Sequence, residues 1–148
     1  MNYPEGLQRD GHRLLQVGGL LFLLALLVGF AIPRFTVPRL GLSTHLLGIM
    51  QGTFLLVAGM VWPRLRLNRL ASRIGCGLAI YGTIAAWTAN LLGAIWGAGS
   101  SILPMASGGA LGSDFQEAAI KILLRSSAPC LVLLLLLILW GLRTAPPA

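Results

Sequence analysis

The stretch PRLGLSTHLLGIMQGTFLLVAGMVWPR, Pro38 to Arg64, decides how the rest of the chain is read. From Thr44 to Trp62 it is apolar apart from Thr44, His45, Gln51 and Thr53. Polar side chains carried so deep into an apolar run cost ~1–3 kcal/mol each unless something there pairs with them. Ser43 or Thr44 suits an N-cap, which predicts a helix over residues 44–62 with His45 in its first turn and Pro63 as its stop.

Working outward, three more apolar runs account for most of the 148 residues. The chain is 56% hydrophobic and 10% charged, with a mean hydropathy of +0.82. A soluble domain carries roughly 25% charged residues, so this chain lacks the polar surface to coat a globule in water. The expected class is all-α: a polytopic membrane protein, one domain, with a bundle of four transmembrane helices near residues 14–32, 44–62, 74–96 and 118–142. A polar lead-in is expected over residues 1–13. The first run is too long for the apolar part of a signal peptide and lacks a small-residue cleavage site, so it is read as a span.

The net charge of +7 does not indicate nucleic acid, because the arginines sit at the ends of apolar runs and not among aromatics. Arg9, Arg13, Arg64, Arg66, Arg69, Arg73 and Arg143 fall on one predicted face; Arg34, Arg39, Lys121 and Arg125 fall on the other, offset by Asp114 and Glu117. The positive-inside bias then puts both termini in the cytoplasm of a bacterial-type inner membrane. Cys76 and Cys130 lie inside predicted spans without CxxC spacing and read as packed thiols. The glycine- and serine-rich segment from Gly97 to Gly112 is an outer loop. SDFQ after it, with Ser113 as cap and Gln116 three residues on, predicts the start of the last helix outside the membrane. Glu117 and Lys121 read as an i,i+4 pair.

Counting ~1.5 Å per helical residue puts Gln51 roughly 9 Å inward from the expected outer end of the second helix, and Asn90 roughly 9 Å inward from Trp96 on the third. Two amides thus fall at one level below His45. Thr83, Trp87 and Asn90 share a face, and His45, Gly48 and Gly52 lie within ~60° on the second helix. Glycines beside an imidazole leave a flat trough in which a planar cofactor could lie with a ring nitrogen as axial ligand. Each feature also has a plainer reading. A lone histidine at a helix end is most often interfacial, Gly48 and Gly52 form a GxxxG packing pattern, and Gln51 with Asn90 could be interhelical glue.

The segments PRLGLSTHLLGIMQGTFLLVAGMVWPRL, YGTIAAWTANLLGAIWGAG and GSDFQEAAIKILL resemble the hydroxylaminobenzene mutase family and, more distantly, styrene oxide isomerase, over about Arg13 to Arg143. The resemblance implies a four-helix membrane isomerase of small aromatic substrates, with trimers that bind haem b between neighbouring subunits. His45 stands where the family has its axial histidine. The relatives' asparagine six residues later is replaced by Gln51, one methylene longer. The tyrosine of the styrene oxide enzymes falls on Asn90, and Ala86 precedes Trp87 where the mutases have asparagine.

On that resemblance His45 would hold the iron beside Gly48 and Gly52, Arg34 or Arg39 would meet the haem propionates, Gln51 and Asn90 would orient the substrate oxygen, and Trp87 would pack on the arene. The expected reaction is arylhydroxylamine to 2-aminophenol, the alternative aryl epoxide to aldehyde. From other classes, a non-catalytic haem-binding membrane protein and a small transport or assembly subunit compete. The last would need a charged residue at mid-membrane, and every Asp, Glu, Lys and Arg lies near or beyond a predicted span end.

Overall fold

The computed structural model describes residues 5–143. It is helical throughout, with no strand among the described residues: α1 (Glu5–Ala31), α2 (Pro38–Val61), α3 (Arg69–Trp96), the short α4 (Pro104–Ser107) and α5 (Asp114–Gly141). Four of these are long and apolar enough to cross a membrane. The chain is an all-α membrane protein.

Its helices begin earlier than the apolar runs do. Within the expected lead-in only residues 1–4 lie outside the described residues; α1 is already formed at Glu5, and Asp10 and Gly11 are buried in it. α2 starts at Pro38, whose locked φ and missing N–H suit the first helical position. Ser43 and Thr44 are therefore not caps: Val37 is the N-cap, and Thr44 Oγ1 donates to the Leu40 carbonyl at 2.8 Å. His45 sits two turns inside the helix instead of in its first turn.

The helices α1 and α2 run antiparallel with their backbones in near contact. A Cβ on Gly11 would lie 2.8 Å from the Gly59 carbonyl oxygen, and one on Gly18 would lie 2.9 Å from that of Gly52. Without a hydrophobic drive between helices in lipid, such small-residue contact supplies the dispersion energy that holds a pair together. Gly19, beside Gly18, faces open space. α3 is the central helix, with 56% of its apolar window buried against 17% for α1 and 11% for α5. Leu23, Leu27, Val57, Leu133, Leu136 and Leu139 point outward, as a lipid-facing belt requires.

The two ends are tied differently. At one end the Arg66 N–H donates to the Gly141 carbonyl at 2.9 Å, and the Trp62 Nε1–H donates to Ser72 Oγ at 3.0 Å. All seven arginines assigned together above lie at this end, in or beside α1's start, the α2–α3 turn and α5's finish. At the other end the Val37 N–H donates to the Ala94 carbonyl, and Thr36 Oγ1 donates to that of Ile95. There α3 ends on Gly97, whose φ of 67° is the left-handed conformation that glycine adopts freely. Ser113 and Gln116 form the capping box that their spacing predicts. Cys76 and Cys130 are free, one buried and one half-buried.

Glu117 does not serve as a solvated partner for Lys121. Its Oε1 accepts from the Gly99 and Gly112 N–H groups at 2.7 and 3.2 Å, and its Oε2 from that of Ser101 at 3.1 Å. One carboxylate thus clasps both ends of the glycine-rich loop, ahead of the apolar run of α5. Desolvation works to raise its pKa, but the hydrogen bonds from Ser101, Gly99 and Gly112 outweigh it and hold the group at about 2, below the usual 4.5. A depressed carboxylate contributes stability that is full above its unfolded pKa and disappears as pH falls through the folded one. Melting temperature should therefore fall between about pH 5 and about pH 2 in the wild type, and fall less in Glu117→Gln, as scanning calorimetry in detergent would measure.

Candidate active site

His45 Nδ1 lies 2.7 Å from the Ala25 carbonyl oxygen of α1. A carbonyl only accepts, so the imidazole donates from Nδ1, and in the neutral ring the lone pair is on Nε2. The ring can lie this close to α1 because the next turn offers Gly29, where a Cβ would be 2.8 Å from Nδ1. The half-buried ring borders an open cleft of about 390 Å³ whose other walls are Leu26, Gly29, Phe30, Ile32 and Leu42. A histidine whose Nδ1–H is fixed on a backbone carbonyl is the arrangement that orients Nε2 toward a metal. The donor chemistry fits an axial ligand, and the apolar walls fit a macrocycle's edge. Arg34 follows Ile32 in the turn of Ile32–Arg34, and Arg39 is in the first turn of α2; both are exposed at this end.

Gly48 and Gly52 do not frame a trough beside the imidazole. The side of α2 that they share with His45 is the one α1 covers. A Cβ on Gly48 would meet Trp87 Nε1 at 2.5 Å and Ala25 Cβ at 2.6 Å, and one on Gly52 would meet Phe22 at 2.9 Å. Both glycines are taken up by helix packing.

Gln51 and Asn90 are not level. Because α2 starts at Pro38 and not at Thr44, the depth of Gln51 is greater than its distance from Thr44 implies. Asn90 Oδ1 accepts from Ser43 Oγ at 3.5 Å and its Nδ2 donates to the Ala86 carbonyl at 3.0 Å. Gln51 is eight residues beyond Ser43, roughly 12 Å deeper along α2. Trp87 sits between these levels, its indole N–H on the Thr44 carbonyl at 3.1 Å and its ring over Gly48. Trp87 and Asn90 are thus buried ties between α2 and α3, and neither borders the clefts of His45 or Gln51.

Gln51 is 9% exposed and borders a second cleft, about 230 Å³, with Leu47, Met50, Phe54, Thr83, Leu131 and Leu135. Its Oε1 is buried and has no hydrogen-bond partner among the described residues. Thr83 offers none, since its hydroxyl donates to the Ala79 carbonyl at 2.7 Å. An orphan acceptor in an apolar cleft is a place for a ligand's N–H or O–H. His45 and Gln51, six residues apart, point about 120° apart around α2. The 120° arc between them, with Thr44, Gly48, Gly52 and Leu55, is buried, and the wider outward arc, with Leu42, Leu46 and Met50, is exposed. One outward face of α2 is therefore flanked by a free imidazole nitrogen on one side and by the Gln51 side chain on the other.

Ala25 and Gly29 were not legible as site residues, since an alanine and a glycine in a leucine-rich run carry no chemical signal. Only their antiparallel register against His45 reveals them. No group of three or more His, Cys, Asp or Glu side chains that could hold a metal ion occurs among the described residues.

Four apolar helices with a fixed imidazole and a buried amide at one helix's flanks define a small integral-membrane bundle with its candidate site on α2. A family model described as styrene oxide isomerase matches residues 10–143. Hydroxylaminobenzene mutase HabB of Ectopseudomonas oleovorans is 48% identical over 134 residues, covering 90% of this chain and 82% of that one. Hydroxylaminobenzene mutase HabA of the same organism is 36% identical over 125 residues, 84% and 93% of the two chains. The chain belongs to the styrene oxide isomerase family, and it is an isomerase. No solved structure matches it significantly.

The orphan acceptor gives a stability test free of any cofactor. An unsatisfied buried carbonyl costs ~1–3 kcal/mol, so Gln51→Leu should raise the melting temperature of the ligand-free protein. Thermal unfolding in detergent, followed by circular dichroism, checks the sign.

Proposed function

We propose that this chain is a haem-dependent membrane isomerase that converts an arylhydroxylamine to a 2-aminophenol. The observation that carries the reading is the His45 imidazole, held through Nδ1 on Ala25 with Nε2 left free beside an open apolar cleft. The names of the two mutase relatives support the substrate class. When bound, ferric haem b would supply a Lewis-acidic iron to the substrate oxygen. His45 would hold the iron, and Arg34 or Arg39 would pair with the haem propionates at the rim.

The chain's own residues then bind and orient. The rearrangement is an isomerisation: the N–O bond breaks, a C–O bond forms at the ortho carbon, a ring proton leaves and nitrogen takes one up. Leu131, Leu135 and Phe54 give the arene an apolar wall and keep water out. Gln51 Oε1 accepts a hydrogen bond from the substrate's N–H or O–H. An arylhydroxylamine has both donors, whereas an aryl epoxide has none, so the unpaired acceptor favours the hydroxylamine. The description of the family model favours the epoxide as second reading. Trp87 and Asn90 act as positioning residues, fixing α2 against α3.

His45 and Gln51 flank the same exposed strip of α2 but face apart, which supports a head-to-tail ring of copies, a homotrimer, in which a neighbour packs on that strip. The clustering of seven arginines at one end supports an inner-membrane orientation with both termini in the cytoplasm.

The test is to titrate the detergent-purified protein with haemin and follow phenylhydroxylamine by chromatography, with styrene oxide in parallel. A Soret shift and 2-aminophenol formation are expected in the wild type, and both should be lost in His45→Ala. Gln51→Leu should keep the spectrum and lose about 10–100-fold in kcat/KM, the cost of one hydrogen bond to a reacting polar group. Full turnover by His45→Ala would overturn the reading. Faster isomerisation of styrene oxide would transfer it to epoxides.

A further inference from the structure

At the end of the bundle away from His45, the first turns of α1 and α3 enclose a cavity of about 110 Å³ lined by Gly6, Arg9, Asp10, Arg13, Arg69 and Arg73. The arginines come as two i,i+4 pairs on two helices that start at the same end, so both positive helix termini add to the same field. The single carboxylate is nine-tenths buried and engaged inward: Asp10 Oδ2 accepts from Ser72 Oγ at 2.6 Å, and Ser72 Oγ accepts from the Trp62 indole N–H. Four guanidinium groups against one carboxylate leave three positive charges unmatched around a space large enough for a tetrahedral oxyanion.

A topological charge bias asks only that basic residues lie somewhere on one side. Arg64, Arg66 and Arg143 would satisfy it from outside this cavity. The four lining arginines do more: they converge on one space.

We propose that this cavity binds the phosphate of an anionic phospholipid headgroup. Its height on the helices selects a lipid over a free anion. The apolar run of α1 begins at Leu14, immediately after Arg13, and that of α3 begins at Ile74, immediately after Arg73. The guanidinium groups therefore stand at the boundary where a bilayer places its phosphates, and Arg fits such an oxyanion bidentately. A second cleft, about 510 Å³, shares Gly6 and Arg69 with the first and continues past Glu5, Leu7, Leu67 and Asn68 toward the helix starts, away from the apolar runs, where the headgroup beyond the phosphate would lie. Asp10 holds α1 to α3 and so sets the spacing of the two arginine pairs.

All four side chains are exposed and can be replaced without touching the core. The detergent-purified full chain would be supplemented with dioleoylphosphatidylglycerol, dioleoylphosphatidylcholine or inorganic phosphate. Native mass spectrometry would read lipid retained, and thermal unfolding the shift. Phosphatidylglycerol should be retained and raise the melting temperature by about 2–5 °C, while phosphatidylcholine does neither. Both effects should vanish in the double variant R9Q/R73Q and survive in R64Q/R66Q. An equal response to both lipids, or retention of the response in R9Q/R73Q, overturns the proposal. An equal shift with inorganic phosphate alone overturns the lipid as ligand.

Discussion

The hydrogen bond from His45 Nδ1 to the Ala25 carbonyl depends on the whole α1–α2 contact and decides what the imidazole can do. An imidazole free to rotate would offer either nitrogen; one pinned on a main-chain carbonyl offers only Nε2. The pin exists because Gly11, Gly18, Gly29, Gly52 and Gly59 let two backbones come together without side chains between them. A side chain at Gly29 would strike the ring itself. Helix packing and the poise of the imidazole are thus one geometric fact.

The remaining polar groups follow from where α3 lies. As the most enclosed helix it carries Thr83, Trp87 and Asn90 inward, and each meets its hydrogen-bonding need locally or across to α2. Gln51 Oε1 has no hydrogen-bond partner among the described residues and sits by an otherwise apolar cleft. A protein accepts that cost where a ligand later removes it. Stability and function then pull in opposite directions at one residue, while the glycine-rich loop at the end of the bundle nearer His45 is held by Glu117.

Much of the fold was legible because lipid leaves few options: long apolar runs must be helices, and SDFQ marks a helix start with its own hydrogen bonds. What the residues did not disclose were contacts between helices. The start of α2 was placed at residue 44 because Ser43 or Thr44 suits an N-cap, yet proline at the first helical position starts the helix at Pro38. That early start is why Gln51 and Asn90 lie at different depths. Asp10 read as solvated because it is charged and near the chain's start; its partner, Ser72, is 62 residues away. Glu117 read as half of a surface pair because its true partners are backbone N–H groups of a loop, which have no residue identity to recognise. His45 stood out as a polar side chain in an apolar run, but the side of α2 it shares with Gly48 and Gly52 is the side α1 fills.

The chain has two histidines, His12 and His45, so ring nitrogens can be resolved directly. Nitrogen-15 magnetic resonance of histidine-labelled protein in lipid bilayers, above the histidine titration range, would show the tautomer of each. His45 is expected to show a protonated Nδ1 and an unprotonated Nε2 whose resonance moves or broadens when haemin is added. A proton on His45 Nε2, indifferent to haemin, would contradict it.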